Sequence, residues 1–447
     1  MSRRPRILIV GGGYVGMYTA IGLLKRAPIG SLDITLVAPE SFMLYQPLLP
    51  EAASGNIEPR HVVIPLRRVL KGARILTGRI ASLDQGRRVA TVAPAEGDPH
   101  EVAFDHLVVG VGAVSRVVPV PGLAESAVGF TSVTEAIYLR NRVLSSMDLA
   151  ESTRDESIRR KALTFVFVGG GYSGVQGLAE LEDLARDACR YYRTVRRQDM
   201  RWVLVEATDT ILPEIGPELA GYAVQRLQRR DIEVHLETRL ESAVGGRIEL
   251  SNGDGFEADT LVWTAGVRAH PVAERLGLPT GERGRLVVDE YLRVQDADRA
   301  WAAGDCAAVP DLVGGGLCPP TAQHALRQAR RLAKNLLATL GGRRLKPFRY
   351  RQLGSLVSLG TAKGVARVLG VRLRGFPAWF LHRSYHLLVL PTINRRIRIM
   401  ADWTLAAFFR RDVVQLGSLQ RPRDPFAQAL GEDPGTAGSA PPGPTAA

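Results

Sequence analysis

Two hexapeptides carry the chemistry that is plainest in this chain, Gly11-Gly12-Gly13-Tyr14-Val15-Gly16 and Gly169-Gly170-Gly171-Tyr172-Ser173-Gly174. In a GxGxxG turn the first glycine permits a tight reversal, the second lets backbone come close to a pyrophosphate, and the third lets a helix settle on a strand. The helix that follows offers free N–H groups and the positive end of its dipole to the same anion. The spacing therefore predicts two sites for dinucleotides. It names Gly11, Gly13 and Gly16 in one and Gly169, Gly171 and Gly174 in the other.

Such a turn works only between a strand and a helix. Arg6 to Val10 reads as a strand, Met17 to Arg26 as a helix and Ile34 to Val37 as the next strand, which completes a βαβ unit. Leu163 to Val168, a helix from Val175 to about Tyr192, and Arg201 to Val205 repeat it. Three further apolar runs end in small residues, at Leu107–Ala113, Leu261–Gly266 and Arg299–Asp305. They place Gly112, Gly266 and the Gly304-Asp305 pair at strand ends. A basic helix from about Thr321 to Leu340 follows, and then a less regular region to about Gln420.

The residue that closes the second strand of each unit differs. In the second unit it is Glu206, a carboxylate placed to accept hydrogen bonds from ribose hydroxyls and to repel a 2′-phosphate, which favours NADH over NADPH. In the first it is Ala38, which cannot do this. Glu40 then either reaches back from the loop or is a solvated loop acid, and Asp305 is either a partner for cofactor hydroxyls or the end of an ordinary turn.

Bulk properties exclude several classes. At 447 residues, 45% hydrophobic and 23% charged, the chain predicts a globular protein of two or three domains. Cys189, Cys306 and Cys318 form no CxxC pair and no metal cluster, which argues against a dithiol relay and a zinc site. The apolar run Ile7–Val10 is too short for a secretory signal, so the protein is expected to stay inside the cell. No stretch is long and apolar enough to span a bilayer. The net charge of +13 is concentrated late: Lys363 to Arg411 holds ten basic residues against one acid, Asp402. Trp379, Phe380, Tyr385 and Trp403 interleave with them, which suits the interface of an anionic membrane. A dimer interface is the other reading. No nucleic-acid module accompanies the charge, so nucleic acid ranks last.

Taken in order, GGGYVG, LVVGVGA, GGGYSG with Glu206, LVWTAGV and AWAAGD resemble the flavoprotein reductases with two dinucleotide-binding domains. Tyr45-Gln46-Pro47-Leu48-Leu49-Pro50 and Pro320-Thr321-Ala322-Gln323-His324-Ala325 narrow the resemblance to the type II NADH:quinone oxidoreductases. This implies an α/β fold of two Rossmann-like domains, with FAD in the first turn and NADH in the second. The expected domains are FAD-binding at 1–125 and 275–345, NAD-binding at 126–274, a C-terminal membrane or dimer region at 346–420, and a disordered tail at 421–447.

The resemblance implies FAD contacts at Pro47 and Gln323, beside Gly112, Gly304 and Asp305, and NAD contacts at Gln176 and Gly266. It implies a quinone site at Gln46, Gln323, Arg327 and Gln328. The family's two glutamines four residues apart become Gln323 and Arg327 here. The guanidinium either bonds a quinone carbonyl or belongs to the surface with Arg330 and Arg331. The implied reaction passes a hydride from NADH to FAD and then two electrons to a membrane quinone, with no side-chain acid, base or nucleophile. A non-spanning, respiratory NADH dehydrogenase that pumps no protons, peripheral on the cytoplasmic face of the cell membrane, is the expectation. An NADH-dependent reductase of a protein such as ferredoxin, and a redox-sensing flavoprotein, are the alternatives.

Overall fold

The computed structural model describes residues 3–352, 354–409 and 411–415. Two five-stranded parallel sheets organise it. The first runs, in spatial order, Ala300–Ala302, His106–Val109, Arg6–Val10, Asp33–Ala38 and Arg74–Thr77. The second runs Ala127–Val128, Thr260–Trp263, Thr164–Val168, Arg201–Val205 and Ile232–His235. Strands that are buried on both faces need continuous apolar runs rather than alternation. Ile7 to Val10 and Thr164 to Val168 are accordingly buried at every position.

In both sheets the strand before the glycine turn lies in the interior, with the next strand in sequence on one side and a much later one on the other. The strand order thus reverses beside that strand, and the crevice at the carboxyl end of such a reversal is where ligands bind in these sheets. The Ala300–Ala302 strand and the Ala322–Leu340 helix return to the first unit after the second is complete. Close contact fixes that return: a Cβ on Gly22 of the Tyr14–Arg26 helix would stand 2.7 Å from the Ala333 methyl.

The C-terminal region is more regular than its sequence suggests. Gly354–Ser358, Gly364–Val368 and Val371–Arg374 form an antiparallel sheet, followed by the helices Phe376–Val389 and Ile393–Phe408. Its strands are four or five residues long, and its helices expose much of their apolar surface, so neither gives the periodic burial signal of an ordinary core element. This region bridges the other two. The Arg383 guanidinium and Trp403 Nε1 donate to Glu51 of the first unit at 2.8 and 2.7 Å. Ser358 Oγ and Thr361 N donate to Glu180 and Asp183 of the second at 2.9 and 2.6 Å. The tail expected at 421–447 lies outside the described residues.

Candidate functional site: two pyrophosphate turns and a cleft

Both turns have the geometry that their spacing predicts. Gly11 and Gly169 have φ of +106° and +116°, and a Cβ there would stand 2.2 Å from Gly110 O and 2.6 Å from the Thr264 carbonyl carbon. A side chain is thus excluded twice, by conformation and by space. A Cβ on Gly16 or Gly174 would meet the carbonyl oxygen of Gly11 or Gly169 at 1.8 or 2.0 Å, so helix and strand touch there through backbone. A Cβ on Gly13 or Gly171 would meet nothing within 4 Å among the described residues. Their open sides are the backbone surfaces that an incoming pyrophosphate would meet.

The first turn opens into a cleft of about 390 Å³. Of the residues expected from sequence, Gly11, Gly13, Glu40, Gln46, Gly112, Gly304 and Asp305 line it; Gly16, Pro47 and Gln323 do not. Glu40 is exposed at the rim. The Asp305 carboxyl faces the cleft with Oδ1 buried and, among the described residues, without a hydrogen-bond partner. Burial pushes its pKa up to about 6. An unmet buried acceptor is costly, and the hydroxyls of a flavin side chain would meet it. Open glycine backbone at one place and an unpartnered carboxylate at another fit FAD.

Sequence reasoning missed part of the wall. Arg79, His270 and Thr131 to Thr134 line the cleft as well. Ser132 caps the Val133–Ser152 helix, with Glu135 returning the bond to the Ser132 backbone. Ser132-x-x-Glu135 is a capping signature that the sequence did contain. It brings a second helix N-terminus to the cleft, and the Ala322–Leu340 helix contributes Ala322 and Ala325 near a third. Three positive dipole ends converge on one cavity, a setting that favours negative charge.

At the second turn Gly169, Gly171, Gly174, Glu206 and Gly266 gather at the carboxyl edge of the second sheet. Glu206 Oε2 accepts from Gly170 N at 2.6 Å, and Oε1 accepts from Thr208 N and Oγ1, each at 2.9 Å. Gln176 is not with them. It is buried, its Nε2 lies 3.3 Å from His382 Nε2 of the C-terminal region, and its place in the second helical turn puts it past the N–H groups at the helix start.

The residues expected to meet quinone divide. Gln46 lines the cleft and donates to Thr131 O at 3.3 Å. Gln323 and Arg327 form a cluster with Tyr350: the tyrosine hydroxyl donates to Gln323 Oε1 at 2.9 Å, and the Arg327 guanidinium lies 4.3 Å over the ring. Gln328 corrects the expectation. It is 2% exposed and its Oε1 accepts from Gly304 N at 2.7 Å, so it braces the Gly-Asp turn from behind. One residue of helix, about 100°, separates the two faces.

Residues 5–329 match the pyridine nucleotide-disulphide oxidoreductase family. The chain is 31% identical to the type II NADH:quinone oxidoreductase Ndh of Mycobacterium tuberculosis, over 90% of this chain and 88% of that one. It belongs to the type II NADH:quinone oxidoreductases. It is 30% identical to the demethylphylloquinone reductase NdbB of Synechocystis, over 90% and 96% of the two chains. The fold is similar to that of Plasmodium falciparum NDH2 solved in complex with NADH, with a TM-score of 0.86 at 18% identity over 92% of this chain and all of that one. The chain is thus a flavin-dependent NADH dehydrogenase, with FAD and NADH as its cofactors.

Proposed function

We propose that the chain transfers two electrons from NADH to a quinone held in a membrane, while lying on the membrane's cytoplasmic face. The observation that carries the reading is the pairing of two pyrophosphate turns with one acidic ribose partner, Glu206, behind the second alone. Bound FAD would supply the chemistry, accepting hydride and releasing electrons. The protein positions it. Gly13, Glu40, Gly112, Gly304 and Asp305 hold FAD, and Gly171, Glu206 and Gly266 hold NADH. Gln46, Gln323 and Arg327 border the quinone. The FAD unit comprises 1–125 and 275–345, with the NAD unit at 126–274 inserted.

Membrane contact is supported by the Ile393–Phe408 helix, which carries a stripe of exposed apolar side chains: Ile393, Ile397, Met400 and Phe408 are 72, 56, 51 and 82% exposed. Soluble helices turn such a stripe inward. Phe376 and Phe380 extend the apolar surface, and Arg395, Arg396 and Arg398 flank it. An interfacial helix needs this combination. Among the described residues no helix is long and apolar enough to cross a membrane.

Flotation with anionic and neutral liposomes, coupled to NADH-driven reduction of a menaquinone or ubiquinone analogue, tests the reading. Binding to anionic vesicles with multiple-turnover quinone reduction supports it. Reduction of ferredoxin alone, or flavin bleaching without turnover, overturns it, and a dimer that ignores vesicles would assign the apolar stripe to a second copy of the chain.

A further inference from the structure

A buried polar seam leaves the FAD cleft and reaches the NAD-binding unit by way of the C-terminal region. Tyr14 lines the cleft, and its buried hydroxyl has no hydrogen-bond partner among the described residues. Its ring lies 6.1 Å from that of Tyr45, whose hydroxyl is 3.0 Å from His386 Nδ1. The His386 and His382 rings meet edge to face at 4.5 Å, and His382 Nε2 faces Gln176 Nε2. One turn along the same helix is Glu180, fully buried and accepting from Ser54 Oγ, Asn56 Nδ2 and Ser358 Oγ. Asn56 also lines a surface cleft beside Lys363 and Arg411.

Apolar residues would fill this volume at less cost, because each buried polar group must recover its hydration. Among the groups present, Tyr45, His386, His382 and Glu180 can each both give and receive a proton. Burial pushes His382 down to about 3 and His386 further, so both imidazoles are neutral, each with one N–H and one lone-pair nitrogen, and His382 Nδ1 is buried with no hydrogen-bond partner among the described residues. Burial and the Glu51 carboxylate raise Glu180, which favours its acid form.

The stoichiometry gives such a route a task. In NADH + H⁺ + quinone → NAD⁺ + quinol, the hydride carries both electrons and one hydrogen. The second hydrogen of the quinol is a proton from solvent, and a buried seam of proton-carrying groups can bring it to the inner wall of the cleft. We propose that Tyr45, His386 and His382 form the relay that delivers this proton toward Tyr14 and the acceptor, with Gln176 orienting His382 and Glu180 as the donor on the solvent side. Glu180 regains its proton through the Asn56 cleft.

The inference rests on quinone being the acceptor, so the assay includes one that needs no proton. Ferricyanide takes single electrons, and NADH + 2 ferricyanide → NAD⁺ + H⁺ + 2 ferrocyanide consumes none. In Tyr45→Phe and His386→Leu, quinone reduction should fall about ten- to a hundredfold relative to ferricyanide reduction, with a larger solvent deuterium isotope effect. Glu180→Gln, which keeps an acceptor for Ser54 and Asn56, guards against misfolding in the first two. In the redox-difference infrared spectrum it should remove a protonated-carboxyl band that shifts in D₂O. Equal loss with both acceptors, an unchanged isotope effect, or a spectrum without that band overturns the relay. Wild-type protein that reduces ferricyanide but no quinone would instead overturn the function proposed above.

Discussion

Gly170 N donates to Glu206 Oε2 at 2.6 Å, so the carboxylate behind the second turn is held in place before any ribose arrives. At the corresponding place in the first unit, a Cβ on Gly12 would stand 2.9 Å from the Ala38 methyl. The one position is charged and oriented; the other is filled. Glu206→Arg should therefore shift the NADPH/NADH ratio of kcat/KM upward by tenfold or more, about 1.4 kcal/mol. It should also cost about 1–3 kcal/mol of stability, because the Gly170 and Thr208 N–H groups lose their acceptor. Steady-state kinetics with both nucleotides and urea unfolding measure the two effects. Unchanged discrimination would remove Glu206 from the ribose site.

Gly13 and Gly16 are three residues apart and should fail differently. Gly13→Ala adds a methyl into open space, so the protein should fold with a stability change of no more than about 1 kcal/mol while losing flavin. Gly16→Ala drives a methyl into the Gly11 carbonyl and should prevent stable folding. Flavin absorbance per protein and thermal melting separate them. A Gly13→Ala protein that keeps its full complement of FAD would contradict the placement of the pyrophosphate.

Asp305 predicts a pH dependence of the flavin-free protein. Its folded pKa, about 6, lies above the ordinary carboxylate value of 3.8, so between these values the folded state binds more protons than the unfolded one. Stability contributed at this site must then fall as pH rises through that window, by about 3 kcal/mol in all, and stay low above it. Asp305→Asn should abolish that part of the slope, stabilise the flavin-free protein at pH 7 and weaken FAD binding. Urea unfolding at pH 4.5 and 7 reads the slope; parallel profiles for the two proteins would show that Asp305 does not cause it.

Arg327→Gln removes a cation from the face of Tyr350 and a donor from Gln323 O, groups that lie outside the cleft. Reduction of the flavin by NADH should be unchanged, while kcat/KM for quinone shifts severalfold. Rapid mixing with NADH alone and turnover with quinone distinguish the two steps. Equal effects on both would take Arg327 away from the acceptor side.

What the sequence revealed about the fold and site followed the range of each interaction. GxGxxG fixes φ, close approach and helix start within six residues, so both turns and the βαβ units that carry them could be read directly, while the edge strands Arg74–Thr77, Ile232–His235 and Ala127–Val128 were not. Asp305 could be placed at a strand end, but its unmet oxygen depends on walls built by remote segments. Gln176 and Gln328 were assigned by position in a motif, and only the neighbours packed on each helix show which way they turn. Tyr45 and His386 are 341 residues apart, with no local signal linking them. The C-terminal sheet stayed hidden because its strands are short, and because its helices reverse the usual burial of an amphipathic face.

The region after residue 345 grips one nucleotide unit through Glu51 and the other through Glu180 and Asp183. It therefore works as a clamp on the two units. With both units bolted to the same piece, swinging one against the other would break several buried bonds together. A chain cut at the start of this region would keep the direct bonds of Ser54 and Asn56 to Glu180 but lose the second set, from Arg383, Trp403, Ser358 and Thr361, that fixes the two sockets in register.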